Sequence, residues 1–125
     1  MDVSKNESHA QSVIAKVTSW DGVTLVIGRR GEWSFKVGDI EIGQLHGESA
    51  ALFTFEPELR ARLMRAGRVV DHPLYPNRDG PAVRRILSAE DAKDTVRLLR
   101  LNYDRAVGAR FRIPAWVAHA EMVAE

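Results

Sequence analysis

The fold is decided by a stretch near the middle of the chain, Gly38-Asp39-Ile40-Glu41-Ile42-Gly43-Gln44-Leu45-His46-Gly47, and by the residues that follow it up to position 104. The stretch indicates a strand, because apolar side chains run between two glycine turns. A helix that begins at Pro57 comes next, then the segment Asp71-His72-Pro73-Leu74-Tyr75-Pro76 and a long helix that begins near Ser88. This order of strand, helix, strand and helix predicts a domain of mixed α and β structure.

Further segments have the composition or the alternation of strands. Residues 33–37 alternate apolar with polar side chains, which is the period of a strand covered on one face. Gly38-Asp39 predicts a two-residue hairpin, and residues 76–81 form the strongest turn cluster of the chain. The predicted strands are Val23–Ile27, Trp33–Val37, Ile40–His46, Ala50–Phe55, Val69–Tyr75 and Ala82–Leu87.

Apolar residues at helical spacing predict three helices. The first covers residues 7–19, with Ser8 or Asn6 as its cap, and the second begins at Pro57 and ends at Gly67. The third covers residues 88–107, begins with a sequence that resembles a capping box, and ends at Gly108. Residues 111–125 are expected to form a helical appendage at the C-terminus.

These elements predict the α+β class, with a mainly antiparallel, twisted sheet of five to six strands. The long helix is expected to pack on one face of the sheet and the shorter helices at its ends. We expect residues 1–125 to form a single domain with a core over about residues 7–108, because 125 residues suit one domain and no repeat or linker interrupts them.

The composition excludes several classes of site. The chain has no cysteine, which excludes disulfides, a thiol nucleophile and a cysteine-ligated zinc. The four histidines lack the spacing of a zinc site, so we predict no metal and no cofactor. No apolar run reaches the length of a membrane helix and the polar N-terminus does not resemble a signal peptide, so we predict a cytoplasmic protein that does not bind membranes.

Two histidines are the first candidates for chemistry. His46 ends one predicted strand and His72 lies in another, so the two imidazoles would face one cavity if these strands are neighbours. Imidazole serves as a general base near neutral pH, and Glu48 or Asp71 could orient it. We therefore name His46 and His72 as candidate catalytic residues. The alternative is that both are hydrogen-bonded strand residues without a role in chemistry.

A ligand pocket between the sheet and the long helix is the second candidate. Aromatic residues could form its walls, and the polar groups named as ligand-binding are Gln44, Tyr75, Arg84 and Arg85. The alternative is that the aromatic residues are the hydrophobic core, which is usual for aromatic side chains that alternate along strands. The aromatic residues concerned are Trp33, Phe35, Phe53, Phe55, Tyr75 and Tyr103.

Several phrases of the sequence resemble the small bacterial luciferase-domain family, which takes its name from a fungal luciferase. The resemblance covers about residues 20–107 and implies a small ligand, with an enclosed apolar site and a histidine base in a metal-free, oxygenase-like reaction if the protein is an enzyme. The matching phrases are Val37-Gly38, Glu41–Gly47, Gly67-Arg68, His72-Pro73 followed by Pro76, Ser88–Asp91 and Leu98–Tyr103.

The chain departs from the pattern of that family at two positions. The family tends to have a histidine where this chain has Gln44, and an aromatic residue where it has Pro81. If these positions line a site, the site is altered here, and the residues leave open whether the protein is an enzyme.

Two functions of other classes are consistent with the sequence. The first is a non-enzymatic interaction module, a homodimer formed through the amphipathic residues 113–123, because exposed apolar stripes usually find a partner. The second is weak nucleic-acid binding through an arginine cluster, although a net charge of +1 makes a nucleic-acid partner unlikely. The cluster consists of Arg60, Arg62, Arg65, Arg68, Arg84 and Arg85.

Overall fold

A computed structural model describes residues 8–75 and 80–110 of the protein. Within these residues the sheet has six strands in the order β1-β2-β3-β4-β6-β5, and every neighbouring pair is antiparallel. The elements in chain order are α1 (His9–Thr18), β1 (Val23–Ile27), β2 (Trp33–Val37), β3 (Ile40–His46), β4 (Ala50–Phe53), α2 (Pro57–Arg65), β5 (Val70–Asp71), β6 (Ala82–Arg85) and α3 (Ala89–Arg110).

The core lies between one face of the sheet and the helices, which confirms the predicted α+β class. Helix α3 comes very close to β3 at Gly43, where an added Cβ atom would stand 2.5 Å from the Leu99 side chain. A side chain at this position would therefore force Leu99, or the helix that carries it, to shift, and glycine permits the close packing. Buried residues of this layer include Phe35, Phe53 and Leu98, all at most 1% exposed.

Capping explains where α3 begins, but not where it ends. The hydroxyl of Ser88 accepts a hydrogen bond from the Asp91 backbone N–H at 3.1 Å, as the capping-box pattern predicts. The Leu87 backbone N–H, which donates to the Asp91 carboxylate, is the main reason that the pKa of Asp91 lies below its ordinary value of 3.8. The predicted end at Gly108 is wrong, because the helix continues through this glycine to Arg110.

Helix α2 ends as its sequence predicts. Gly67 has a φ of 72°, in the left-handed region, and its N–H donates to the Met64 carbonyl. The next N–H, of Arg68, donates to the Leu63 carbonyl at 2.9 Å, which completes a Schellman motif.

Three predicted strands are shorter in the structure. The strand predicted for residues 69–75 is reduced to Val70–Asp71, and a turn follows in which the Tyr75 N–H donates to the His72 carbonyl at 3.1 Å. Pro73, which has no N–H for a strand ladder, lies inside this turn. Strands β4 and β6 each end two residues earlier than predicted.

A β-bulge in β3 changes which side chains share a face. Phe35 pairs with Gly43, but the next residue of β2 pairs with Glu41, so Ile42 is an extra residue without a partner. The carbonyl of Ile42 accepts a hydrogen bond at 3.1 Å from the buried side chain of Asn102 in α3. Because of the extra residue, Glu41 and Gln44 lie on the same face of the sheet.

That face, turned away from α3, is called the open face here. Register places on it one row of side chains that crosses all six strands and is most exposed at its two ends, at Val26 (44%) and Val70 (52%). The row consists of Val26, Ser34, Gln44, Leu52, Val83 and Val70.

The predicted appendage at residues 111–125, with the proposed dimer segment 113–123, lies outside the described residues. None of the helices in the two described ranges combines the length and the apolar composition needed to cross a membrane.

Candidate functional site

A cleft of about 390 Å³ lies on the open face and receives both candidate histidines. We call it the histidine cleft. Strands β3, β4 and β6 form its floor, and the turn after β5 forms one wall. Its lining residues are His46, Ser49, Ala50, Leu52, His72, Pro73, Leu74, Val83 and Arg85.

Strand register explains why these side chains meet. His46 pairs with Ala50, which in turn pairs with Arg85, so a histidine and an arginine flank a small alanine. One step along the same face, Leu52 pairs with Val83 and supplies an apolar patch. The alanine leaves space between the two longer polar side chains, and this space is part of the cleft.

His46 is held from one side by a chain of two hydrogen bonds. Its Nε2 lies 2.7 Å from Oε1 of Gln44. The Nε2 of Gln44 donates in turn to Oε1 of Glu41 at 2.8 Å. Glu41 and Gln44 line a neighbouring depression rather than the histidine cleft, so they support His46 from outside it.

His72 is held by its own turn. The Leu74 backbone N–H donates to Nδ1 of His72 at 3.1 Å. The Tyr75 ring lies 5.3 Å from the His72 ring, tilted by 45°, but Tyr75 is 56% exposed and is not among the residues that line the cleft. Of the predicted ligand-binding residues, Gln44 and Tyr75 thus contact the two histidines and stand beside the cleft.

The two neighbouring arginines of β6 lie on opposite faces. Arg84 is on the face toward α3, where it donates to Asp91 at 2.9 Å and stands 3.6 Å from Asp94. Arg85 lines the histidine cleft, and none of the carboxylates in the described residues forms an ion pair with it. Arg84 therefore joins β6 to α3, whereas Arg85 leaves a cation available in the cleft.

With this geometry in place, comparison with known proteins shows the family. The family model described as Luciferase domain matches residues 39–102, which is 64 of the 125 residues. The chain belongs to the luciferase-domain family. The matched luciferase domain begins in the hairpin before β3 and ends at Asn102, so it contains both histidines, the bulge and Arg85. No curated protein and no solved structure matches the chain.

The candidate site of this luciferase-domain protein lies on the other face of the sheet from the pocket that was predicted between sheet and helix. Four of the six aromatic side chains that were expected to form that pocket, Phe35, Phe53, Phe55 and Tyr103, are buried in the core, whereas Trp33 is partly buried against the core and Tyr75 is exposed. The rings of Phe53 and Phe55 stack at 5.0 Å. Core packing occupies the space between the sheet and α3 at these residues.

The sequence did not indicate which carboxylate is linked to His46 by hydrogen bonds. Asp71, one of the two residues suggested for this role, is held by Arg60 at 2.8 Å, and Glu48 lies in the exposed turn after β3. The carboxylate linked to His46 is Glu41, through Gln44. Strict alternation along β3 places Glu41 and Gln44 on opposite faces, so only recognition of the bulge could have revealed the link.

A larger cavity of about 490 Å³ lies away from these residues, in the groove between α1 and α3. Its charged lining residues, such as Lys16, Lys93 and Arg97, have exposed side chains on the two helix surfaces. It receives none of the residues that the sequence predicted for a site. We therefore locate the candidate site in the histidine cleft, where a charged group and two imidazoles converge.

Ion pairs neutralise half of the arginine cluster. Arg60, Arg68 and Arg84 pair with aspartates at 2.8, 2.6 and 2.9 Å, respectively. Each pair links two different elements or loops, so these arginines stabilise the fold. In residues 8–75 and 80–110, moreover, no three His, Asp or Glu side chains gather in the way a metal ion requires.

Proposed function

We propose that the histidine cleft binds a small organic molecule that has an apolar or aromatic body and an anionic group. The observation that carries this proposal is the convergence of His46, His72 and Arg85 on one cleft with apolar walls. Ligand sites commonly combine such walls with a few polar groups that fix the orientation of the ligand.

The size and the lining of the cleft support a small ligand. A volume of about 390 Å³ lies in the range of small-molecule sites, which is roughly 300–1,000 Å³. Leu52, Leu74 and Val83 supply the apolar surface, and Leu74 is 76% exposed without a ligand. A bound aromatic ring would remove part of this leucine from water, which favours binding.

Arg85 supports the choice of an anionic group. The planar guanidinium binds carboxylates through two parallel hydrogen bonds. Arg84, the neighbouring residue, already has two carboxylate neighbours on the other face, whereas Arg85 has none among the described residues. An anion of the ligand would therefore supply an ion-pair partner that Arg85 lacks among residues 8–75 and 80–110.

A reaction at this site would use His46 as its base. Imidazole accepts protons near neutral pH, and His46 lines the cleft in which the proposed ligand would bind. The luciferase-domain family suggests the reaction type, a metal-free, oxygenase-like step, as the form that catalysis would take here. Binding is the part of the proposal that is tested first.

The test is a titration of ¹⁵N-labelled protein with benzoate and with benzyl alcohol, in which the changes of the amide chemical shifts are measured by NMR. For a ligand of this size we expect a benzoate dissociation constant on the order of 1–10 mM, with shifts confined to residues that line the histidine cleft. Benzyl alcohol, which lacks the charge, should bind about fivefold more weakly.

Matched variants identify the groups that bind. Arg85→Ala should weaken benzoate binding about fivefold and leave benzyl alcohol unchanged, and Arg62→Ala, which removes an exposed arginine of α2, is the control. His72→Ala should weaken both probes, whereas His9→Ala should weaken neither. Shifts at α1 and α3 in place of the cleft, or equal binding by wild type and Arg85→Ala, would contradict the proposal.

Three further expectations from the sequence stay predictions. They are a homodimer through residues 113–123, weak nucleic-acid binding and a cytoplasmic location. Residues 8–75 and 80–110 add no observation that favours any of them over ligand binding.

A further inference from the structure

We propose that Glu41 and Gln44 are positioning residues that fix which ring nitrogen of His46 carries the proton, so that the histidine cleft offers one acceptor, Nδ1 of His46, and one donor, Nε2–H of His72. The consequence for the ligand rests on the proposed function, whereas the proton positions follow from the hydrogen bonds of the chain alone.

Glu41 determines the orientation of the Gln44 amide. An ionised carboxylate only accepts hydrogen bonds, so the atom of Gln44 that lies 2.8 Å from Glu41 Oε1 must be the amide nitrogen. The other end of the amide, Oε1, then faces His46 at 2.7 Å. An amide oxygen has no proton to donate, so Nε2 of His46 must carry one.

The neutral imidazole carries a single proton. With that proton on Nε2 toward Gln44, Nδ1 of His46 has a free lone pair and is the nitrogen that accepts a proton from a ligand. Gln44 and Glu41 lie in the neighbouring depression, so they leave the cleft side of the ring free.

His72 has the same tautomer but presents the opposite group. Its Nδ1 is occupied as an acceptor by the Leu74 N–H at 3.1 Å, so its proton lies on Nε2 and is the one available to a ligand. The two histidines are therefore complementary: His46 accepts and His72 donates. A ligand that matches them has a hydroxyl or N–H donor as well as an acceptor group.

The test replaces Glu41, which only accepts hydrogen bonds, by a residue that only donates them. In Glu41→Lys the ammonium group only donates, so Gln44 must turn its oxygen toward position 41 and its amide nitrogen toward His46. Nε2 of His46 must then accept, and the proton moves to Nδ1. Glu48→Lys introduces the same change of charge in the next turn without a contact to Gln44 and is the control.

The proton positions are measured by ¹⁵N NMR of histidine-labelled protein without any ligand, at a pH where imidazole is neutral. Protonated and unprotonated ring nitrogens differ widely in chemical shift. We expect His46 to be protonated at Nε2 in the wild type and in Glu48→Lys, and to shift toward Nδ1 by about two- to tenfold in population in Glu41→Lys. Gln44→Leu should give the tautomer mixture of free histidine. An unchanged His46 in both Glu41→Lys and Gln44→Leu would overturn the assignment.

The effect of the His46 tautomer on ligand binding is measured with a second probe. 3-Hydroxybenzoate, which adds a donor to benzoate, should bind the wild type about two- to tenfold more tightly than benzoate does, and this advantage should disappear in Glu41→Lys. Absence of binding by both probes would contradict the proposed function alone, because the tautomer measurement needs no ligand. An advantage that persists in Glu41→Lys would contradict the role of Glu41.

Discussion

The side chain of Asn102 in α3 donates a hydrogen bond to the backbone of the β3 bulge. Its replacement by alanine is expected to destabilise the protein strongly. Asn102 is 6% exposed, and its side-chain amide donates to the carbonyls of Ile42 at 3.1 Å and Thr54 at 3.3 Å. Each lost bond costs about 1 kcal/mol, and the Ile42 carbonyl is then left buried without a partner, which costs about 1–2 kcal/mol more. The free energy of unfolding should fall by about 3–4 kcal/mol.

Urea denaturation followed by circular dichroism measures this effect. With a denaturant dependence of about 2 kcal/mol per M, the midpoint should fall by about 1.5–2 M. The control is Leu101→Ala, which replaces the half-exposed neighbour of Asn102 and should change the free energy by under about 1 kcal/mol. Equal shifts in the two variants would refute the reasoning that Asn102 holds the bulge.

A second variant separates the hydrogen bonds from side-chain volume. Asn102→Asp preserves the shape but places a carboxylate against two carbonyl oxygens, so burial and these neighbours should raise the pKa of the new group in the folded state. A raised folded-state pKa of an acid means that the destabilisation is greatest above that pKa and diminishes as the pH falls through it. Stability of this variant relative to wild type should therefore improve in acid, and a difference that does not depend on pH would contradict the assignment.

Three other substitutions test the fold. Gly43→Ala places a Cβ atom 2.5 Å from Leu99 and should destabilise the protein by about 1–3 kcal/mol in urea denaturation, and an unchanged midpoint would contradict the close packing of α3. Gly108→Ala should stabilise it by about 0.5–1 kcal/mol, because this glycine lies within α3 and an added Cβ atom meets nothing within 4 Å; a loss of stability would place Gly108 at the helix end. Asp91→Asn should destabilise the protein at neutral pH, because the Leu87 N–H lowers the pKa of Asp91 in the folded state, and the difference should diminish as the pH falls from 3.8 through that lowered pKa; a difference that stays constant from neutral pH into acid would show that this ionisation is not its source.

Local chemistry made most of the elements predictable. The bounds of β1, β2 and β3 agree with the sequence because turn residues stand on both sides of each strand. The end of α2 was predictable for a similar reason, since Gly67 permits the left-handed conformation that a Schellman motif needs. Gly108 shows the limit of this reasoning, because packing along the sheet carries α3 through a residue that often ends helices.

The hydrogen bonds that link Glu41 and Gln44 to His46 could not be predicted from the two-residue period of strand β3. Alternation places Glu41 opposite to Gln44, and one extra residue, Ile42, reverses that relation. The bulge is stabilised by Asn102, which is 60 residues away in sequence. No local pattern contains such a contact, so the role of Glu41 becomes visible only in the folded chain.

Alternation did imply that Arg84 and Arg85 lie on different faces, but not which of them faces the helix. That choice depends on the register of β6 with β4, in which Arg85 pairs with Ala50 and thereby lies beside His46. Of the aromatic residues, Trp33, Phe35 and Phe53 lie in strands as predicted, whereas Phe55 and Tyr75 lie beyond the ends of β4 and β5, the strands predicted for them. The two histidines were predicted to meet if their strands are neighbours; β4 and β6 separate these strands, and the turn after β5 brings His72 to the cleft that His46 lines.

The most direct test of ligand binding in the histidine cleft is a crystal structure of the protein soaked with 4-bromobenzoate, in which anomalous scattering locates the bromine. We predict one bromine site over Leu52 and Val83, with the carboxylate within hydrogen-bonding distance of Arg85. The same peak in the groove between α1 and α3, beside Lys16 and Arg97, would contradict it, as would crystals at high ligand concentration that show no bromine in the cleft.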